Sequence, residues 1–172
     1  MKISFENIKS YYPILWDESK VAMAVEKGVI TEAQFEEITG KSIYSLGTLD
    51  EAKFRKQEEN KKALAAFLNS STITWSDGCK YGVTEEDQTE MGLNLNKYQL
   101  QISAGVENAV LEWHPKHASC RSFTLEEYTG LVLAITNFVY PYLNKCQAIK
   151  EQIYAAKTYE ELQKISIEYK ED

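Results

Sequence analysis

The longest regular alternation of apolar and polar positions runs from Thr124 to Ala156. Tyr128, Leu131, Ile135, Phe138, Tyr142, Cys146, Ile149 and Ile153 recur every three or four residues, the spacing of one helical face. Leu125, Val132, Val139 and Leu143 widen that face in its first half. Between Leu131 and Leu143 only Thr136 and Asn137 are polar, which predicts a helix covered on most sides. Thr124 with Glu127 three residues on forms a capping box, and Phe123 with Tyr128 has the spacing of a hydrophobic staple. Pro141 removes one backbone hydrogen bond and crowds the carbonyl of Asn137, so a kink or a break is expected there. The apolar run falls short of the roughly 20 residues needed to cross a bilayer.

Ahead of this helix, residues 1–44 read as three short ones. Phe5, Ile8, Tyr11 and Tyr12 give the first an apolar face that ends at Pro13. Asp17 caps a second with Val21, Ala24 and Val25, which stops at Gly28. Thr31 and Gln34 box the third, Ile30 and Phe35 staple it, and Gly40 closes it. So small a piece rarely stands alone, because pieces below roughly 40 residues seldom bury enough surface. It is expected to dock on something. Thr48 and Glu51 then open a helix toward Asn69 whose middle, Arg55 to Lys62, is polar for eight consecutive residues. A helix polar all round bridges two bodies through solvent, here over about 12 Å.

Thr72 to Val83 carries a hairpin signal, with Ile73 and Trp75 alternating against polar residues and Asp77-Gly78 suited to a two-residue type I′ turn. Thr84 starts a helix with Met91, Leu95, Tyr98 and Ile102 on one face. Its other positions are mostly amides, which suit a solvent-facing helix or a paired seam. Val110–Trp113 and Cys120–Phe123 read as two more short strands, and Thr158 with Glu161 opens a last helix. The expected fold is α+β, mainly α: a helical docking segment (1–44), a polar linker helix (45–62), and a helical domain (63–172) with a small antiparallel sheet packed on a long, Pro-kinked helix.

Charge changes the picture in two ways. The net charge of −7 over 172 residues argues against nucleic-acid binding, which needs a cationic footprint. Glu32, Glu36 and Glu37 on the third helix likewise argue against a DNA-reading helix pair. Residues 1–62 hold 10 basic and 11 acidic groups against 4 and 7 in 63–123, so the middle is expected to be the more enclosed part. Cys79, Cys120 and Cys146 are odd in number and unclustered, as reduced thiols in a cytosolic setting are.

Candidate chemistry is sparse. His114, His117 and Cys120 stand as H-x-x-H-x-x-C, with Cys79 conceivable as a fourth zinc donor, yet the spacing fits no established zinc pattern. A polar hairpin loop with two exposed histidines and a buried small thiol is the favoured account, and no metal or other cofactor is expected. Neither a G-x-S-x-G elbow nor a phosphate-cradling glycine loop is present, and the acidic pairs sit where helix starts favour them. No catalytic residues are assigned, and an enzyme is not expected. Tyr11, Tyr12 and Trp16 crowd a segment too small to bury them all, which makes them candidate partner-binding residues.

These same residues carry a resemblance. Residues 5–40, with Ile8-Lys9, Tyr11-Tyr12, Trp16, Val21, Val25, Gly28, Ile30-Thr31 and Ile38-Thr39-Gly40, resemble the XkdX family of small proteins of tailed phages and prophages. Residues 60–170, through YGVTEEDQTEMGLNLNKYQ, LEWHPKH and CRSFTLEEY, are similar to an uncharacterised domain of phage proteins encoded near tail fibres. The resemblance implies a non-enzymatic interaction protein of a phage tail, baseplate or fibre region, or of a phage-derived contractile particle. Its implied partner is a tail, baseplate or fibre protein, with a homo-oligomer as a further option and neither nucleic acid nor membrane involved. Its implied place is the host cytoplasm during assembly and then the virion or tail-like particle. A transient fibre-assembly chaperone is the main alternative, ahead of a host-directed effector or a metal-dependent enzyme.

Overall fold

A computed structural model describes residues 3–171. Its architecture is α+β and mainly α, with seven α-helices and two separate two-stranded antiparallel sheets among the described residues. The chain divides into two compact units. One comprises the chain up to Glu59 together with Glu151–Ser166, and the other Asn60–Lys150 with the chain from Ile167 onward. The parting between Glu59 and Asn60 falls inside the polar stretch of helix α4 (Leu49–Ser70).

The first unit contains α1 (Phe5–Tyr11), α2 (Glu18–Glu26), α3 (Glu32–Thr39), a 3-10 turn at Ile43–Ser45 and α7 (Tyr159–Gln163). Local chemistry sets each start. Asp17 accepts from the Lys20 amide, and Thr31 and Gln34 satisfy one another's backbone N–H groups. Gly40 takes the left-handed φ of 70° that ends α3. Ile8, Val21, Phe35, Ile153 and Leu162 are fully buried, so the core is filled partly from near residue 160. Tyr159 donates to the Gly47 carbonyl at 2.7 Å, and Lys53 donates to that of Tyr154 at 2.9 Å. Residues 1–44 are thus part of a larger unit, completed by residues more than a hundred positions away.

An ionic cluster lies in the same unit. Tyr44, 4% exposed, places its hydroxyl 2.8 Å from a Glu32 carboxylate oxygen and also against Glu59. Lys56 donates to that hydroxyl at 3.3 Å and pairs with Glu59 at 3.2 Å. Lys56 in this unit and Asn60 in the other were expected in solvent but are 5% and 2% exposed. Burial is tolerable because each has partners, Lys56 the hydroxyl and carboxylate just named, Asn60 the Cys146 carbonyl at 3.0 Å and the Tyr169 hydroxyl at 2.6 Å.

In the second unit, β1 (Thr72–Thr74) pairs with β2 (Lys80–Gly82), and β3 (Leu111–Trp113) with β4 (Arg121–Phe123). The expected single sheet is absent because the two hairpins stay apart, linked by one backbone bond from the Lys116 N–H to the Lys80 carbonyl at 2.7 Å. The first turn also differs from expectation. Trp75 N–H meets the Cys79 carbonyl, Gly78 N–H meets that of Trp75, and Gly78 has φ 79° while Asp77 stays in the ordinary region. This is a three-residue loop, Ser76–Gly78, with glycine in its last, left-handed place.

Helices α5 (Glu85–Ser103) and α6 (Leu125–Ala155) frame this unit. Thr124 and Glu127 form the capping box of α6, and Tyr128, Leu131, Ile135 and Val139 are essentially inaccessible. Gly130 lets the Trp75 ring lie on the helix, since a Cβ there would stand 3.1 Å from it. Pro141 does not break α6. Pro141 and Asn137 both face solvent, the side of a helix on which an unpaired carbonyl is tolerated. On α5, Met91, Leu95 and Tyr98 turn inward, whereas Ile102 is 53% exposed. Asn94 donates to the Glu112 carbonyl at 2.7 Å and to the Tyr128 hydroxyl at 3.1 Å, so this amide is a paired seam.

Candidate docking surfaces

In the first unit the turn joining α1 to α2 is held by its own backbone. Leu15 and Trp16 both donate to the Tyr11 carbonyl, at 2.7 and 3.1 Å, and Asp17 caps the next helix immediately after. A turn pinned at both ends cannot fold its middle inward, and Ile14 and Leu15 stand 86% and 65% exposed. Tyr11, Tyr12 and Trp16 are half-buried beside them. The Tyr11 and Trp16 rings lie 6.0 Å apart, tilted by 46°, and the Tyr12 hydroxyl reaches Glu18 only at 3.5 Å. The three aromatics singled out from sequence thus support the turn, while the two aliphatics between them carry most of its exposed surface. Sequence reasoning missed Ile14 and Leu15. The signal was available: a Pro-Ile-Leu-Trp run between a helix-ending proline and an N-cap aspartate has no helical face to serve.

A groove of about 210 Å³ opens beside Trp16, floored by Met23, Ala24 and Val29 and edged by Lys20 and Lys27. In the second unit a larger groove of about 1030 Å³ lies over Leu64, Leu68 and Leu143, with Lys62 on one side and Glu85 and Glu86 on the other.

The loop after β3 does not gather its metal-ligand candidates. His114 stacks on Trp113, ring centroids 4.9 Å apart, and its Nδ1 lies 3.3 Å from the Pro115 carbonyl. That stacking leaves His114 half-buried, while His117, at φ 64°, is exposed, and Cys120, expected as a buried thiol, is exposed as well because it lies in the loop just before β4. Among the described residues no three His, Cys, Asp or Glu side chains stand where they could hold a metal. Cys79, Cys120 and Cys146 are all free thiols.

Titration shifts mark the ionic groups. Burial raises the Glu32 carboxyl above its ordinary 4.5, with the neighbouring Glu59 charge adding to it. Burial likewise pushes the Tyr44 phenol upward, reinforced by its hydrogen bond to Glu59, so it stays a donor. In the second unit Asp77 behaves oppositely. Partial desolvation pushes it up, but the Cys79 N–H, the Tyr81 hydroxyl and the Arg121 charge together hold it below 3.8. Arg121 meets Asp77 at 2.5 Å and donates to the Tyr81 hydroxyl at 3.1 Å, tying the two hairpins side to side.

What this geometry defines is a mainly helical protein that presents apolar surfaces on well-capped elements. Its N-terminal segment is similar to a phage family: residues 5–42 match the family described as phage uncharacterised protein (Phage_XkdX), under a quarter of the chain. The match spans α1 to α3 and the exposed turn between the first two. No curated protein and no solved structure matches the chain. No helix among the described residues is long and apolar enough to cross a membrane.

Proposed function

We propose that this chain is a non-enzymatic interaction protein of a phage tail, baseplate or tail-fibre region, and that it engages its partner through the α1–α2 turn. The observation that carries the reading is the outward display of Ile14 and Leu15, 86% and 65% exposed, within the segment that matches a phage family. Exposed aliphatics on a backbone-pinned turn are preorganised, so docking orders little and loses little entropy. Half-buried aromatics at their base give the contact a rigid footing. The partner is a tail, baseplate or fibre protein met in the host cytoplasm during assembly, and the complex is retained in the particle.

Point substitutions test this better than removal of residues 1–44, which would strip Phe35, Ile43 and Tyr44 from a shared core. Particles purified from a producing strain carrying the I14D/L15D variant are expected to lose the chain by mass spectrometry, while the purified variant keeps its wild-type denaturation midpoint. Undiminished incorporation of the variant would overturn the reading. Absence of the wild-type chain from finished particles would point to a transient assembly factor instead.

A further inference from the structure

We infer that the groove beside Trp16 takes an acidic segment of the partner, one that presents a single bulky apolar side chain between two carboxylates. This rests on the docking reading above and specifies the chemistry of its partner. At about 210 Å³ the groove lies below the roughly 300–1000 Å³ of small-molecule pockets, so it suits one large side chain and not a whole ligand. Trp16, Met23, Ala24 and Val29 supply an apolar lining for that side chain.

The charges at its edge are the informative part. Within the family-matching segment acidic residues outnumber lysines seven to four. Two of the four lysines are already neutralised, Lys9 by Glu37 at 2.6 Å and Lys41 by Glu18 at 2.8 Å. The other two, Lys20 and Lys27, make no ion pair among the described residues, and both border the groove, which no acidic residue lines. An acid-rich segment has thus left its unpaired cations around one apolar depression. Lys20 lies in α2 and Lys27 is its C-cap residue seven positions on, so they are separated by about 10 Å along the axis. Carboxylates seven apart on a helix, or three apart on an extended strand, match that distance. A partner of this kind is drawn to the two lysines from a distance and held by the apolar side chain between them.

The probe is a fluorescein-labelled, alanine-rich helical peptide with one central phenylalanine and glutamates four residues before and three after it. Titrated with the full-length chain by anisotropy, it is expected to bind about tenfold more tightly than the same peptide with lysines in place of glutamates. Raising the salt should narrow that gap. The K20E/K27E variant alters two exposed side chains and should reverse the preference. Equal affinity for both peptides, an unchanged K20E/K27E variant, or equal binding when the phenylalanine is alanine would each overturn the inference. So would self-association in sedimentation that K20E/K27E abolishes, because the occupant would then be a second copy. In particles the two readings separate. Loss of I14D/L15D with full retention of K20E/K27E leaves docking standing and sinks the acidic partner, whereas retention of both sinks docking as well.

Discussion

The two units solve the same problem with different materials. In the one built on Asn60–Lys150, the fully buried side chains include Tyr81, Val83, Met91, Leu111, Tyr128, Leu131, Ile135 and Val139. Polarity enters as neutral groups with partners, such as the Asn60 amide and the Tyr128 hydroxyl, which donates to the Met91 carbonyl at 3.2 Å. The smaller unit fills its core with Ile8, Val21, Phe35 and Leu162, then sets Lys56 and the Tyr44 hydroxyl between the carboxylates of Glu32 and Glu59. Short helices have little apolar area to offer, so ionic groups that are satisfied by one another occupy space that a larger core would give to hydrocarbon. The difference predicts that one unit answers to lost volume and the other to lost charge balance.

The largest expected effect breaks the second unit. Leu131→Ala removes a wholly buried side chain and should lower stability by about 2–5 kcal/mol, read from the urea midpoint. The shift should be the same at pH 5 and pH 7, since the side chain removed carries no charge. Next comes Lys56→Met, which leaves the Tyr44 hydroxyl and Glu59 without their cation. It should cost about 1.5–3 kcal/mol, with amide exchange accelerated in α3 and the 3-10 turn. Exchange that quickens only in the hairpins would contradict the division drawn here.

The smallest effects have opposite signs. Because Glu32 is raised in the folded chain, its contribution is whole below 4.5 and fades as pH climbs through the folded value. Glu32→Gln should therefore flatten the decline of stability above pH 4.5. Asp77 is lowered, so its contribution is present above 3.8 and vanishes as pH falls through the folded value. Asp77→Asn should cost about 0.5–1 kcal/mol at pH 7, as a partly exposed pair does, and progressively less as pH falls below 3.8. Paired urea titrations of the two variants check both slopes.

How much of this was legible along the chain follows from distance in sequence. Thr31 with Gln34 and Thr124 with Glu127 satisfy each other three residues apart, so their helix starts were readable as spelled. The stripe from Tyr128 to Ile153 was readable for the same reason, periodicity being local. The hairpin position was legible, but its turn was not. Asp77-Gly78 fits two loop lengths, and the choice was made by the pairing of Trp75 with Cys79. The Glu32–Tyr44–Glu59 cluster left no trace, because its members face solvent or core only once α3, the 3-10 turn and α4 have met. At the α1–α2 turn the bulk of Tyr11, Tyr12 and Trp16 is legible in the sequence, whereas Ile14 and Leu15 have the composition of ordinary core residues and their exposure is set by the turn.

The bond from Tyr159 to the Gly47 carbonyl, with Leu162 sealed beneath, also sets a schedule. Helices α1 to α3 leave the ribosome while residues 60–150 are still to be made, an interval on the order of 5–20 s at about 5–20 residues per second. Throughout that wait the nascent α1–α3 segment lacks its closing piece. The core that holds Ile8, Val21 and Phe35 therefore closes only after residues 159–163 have been made.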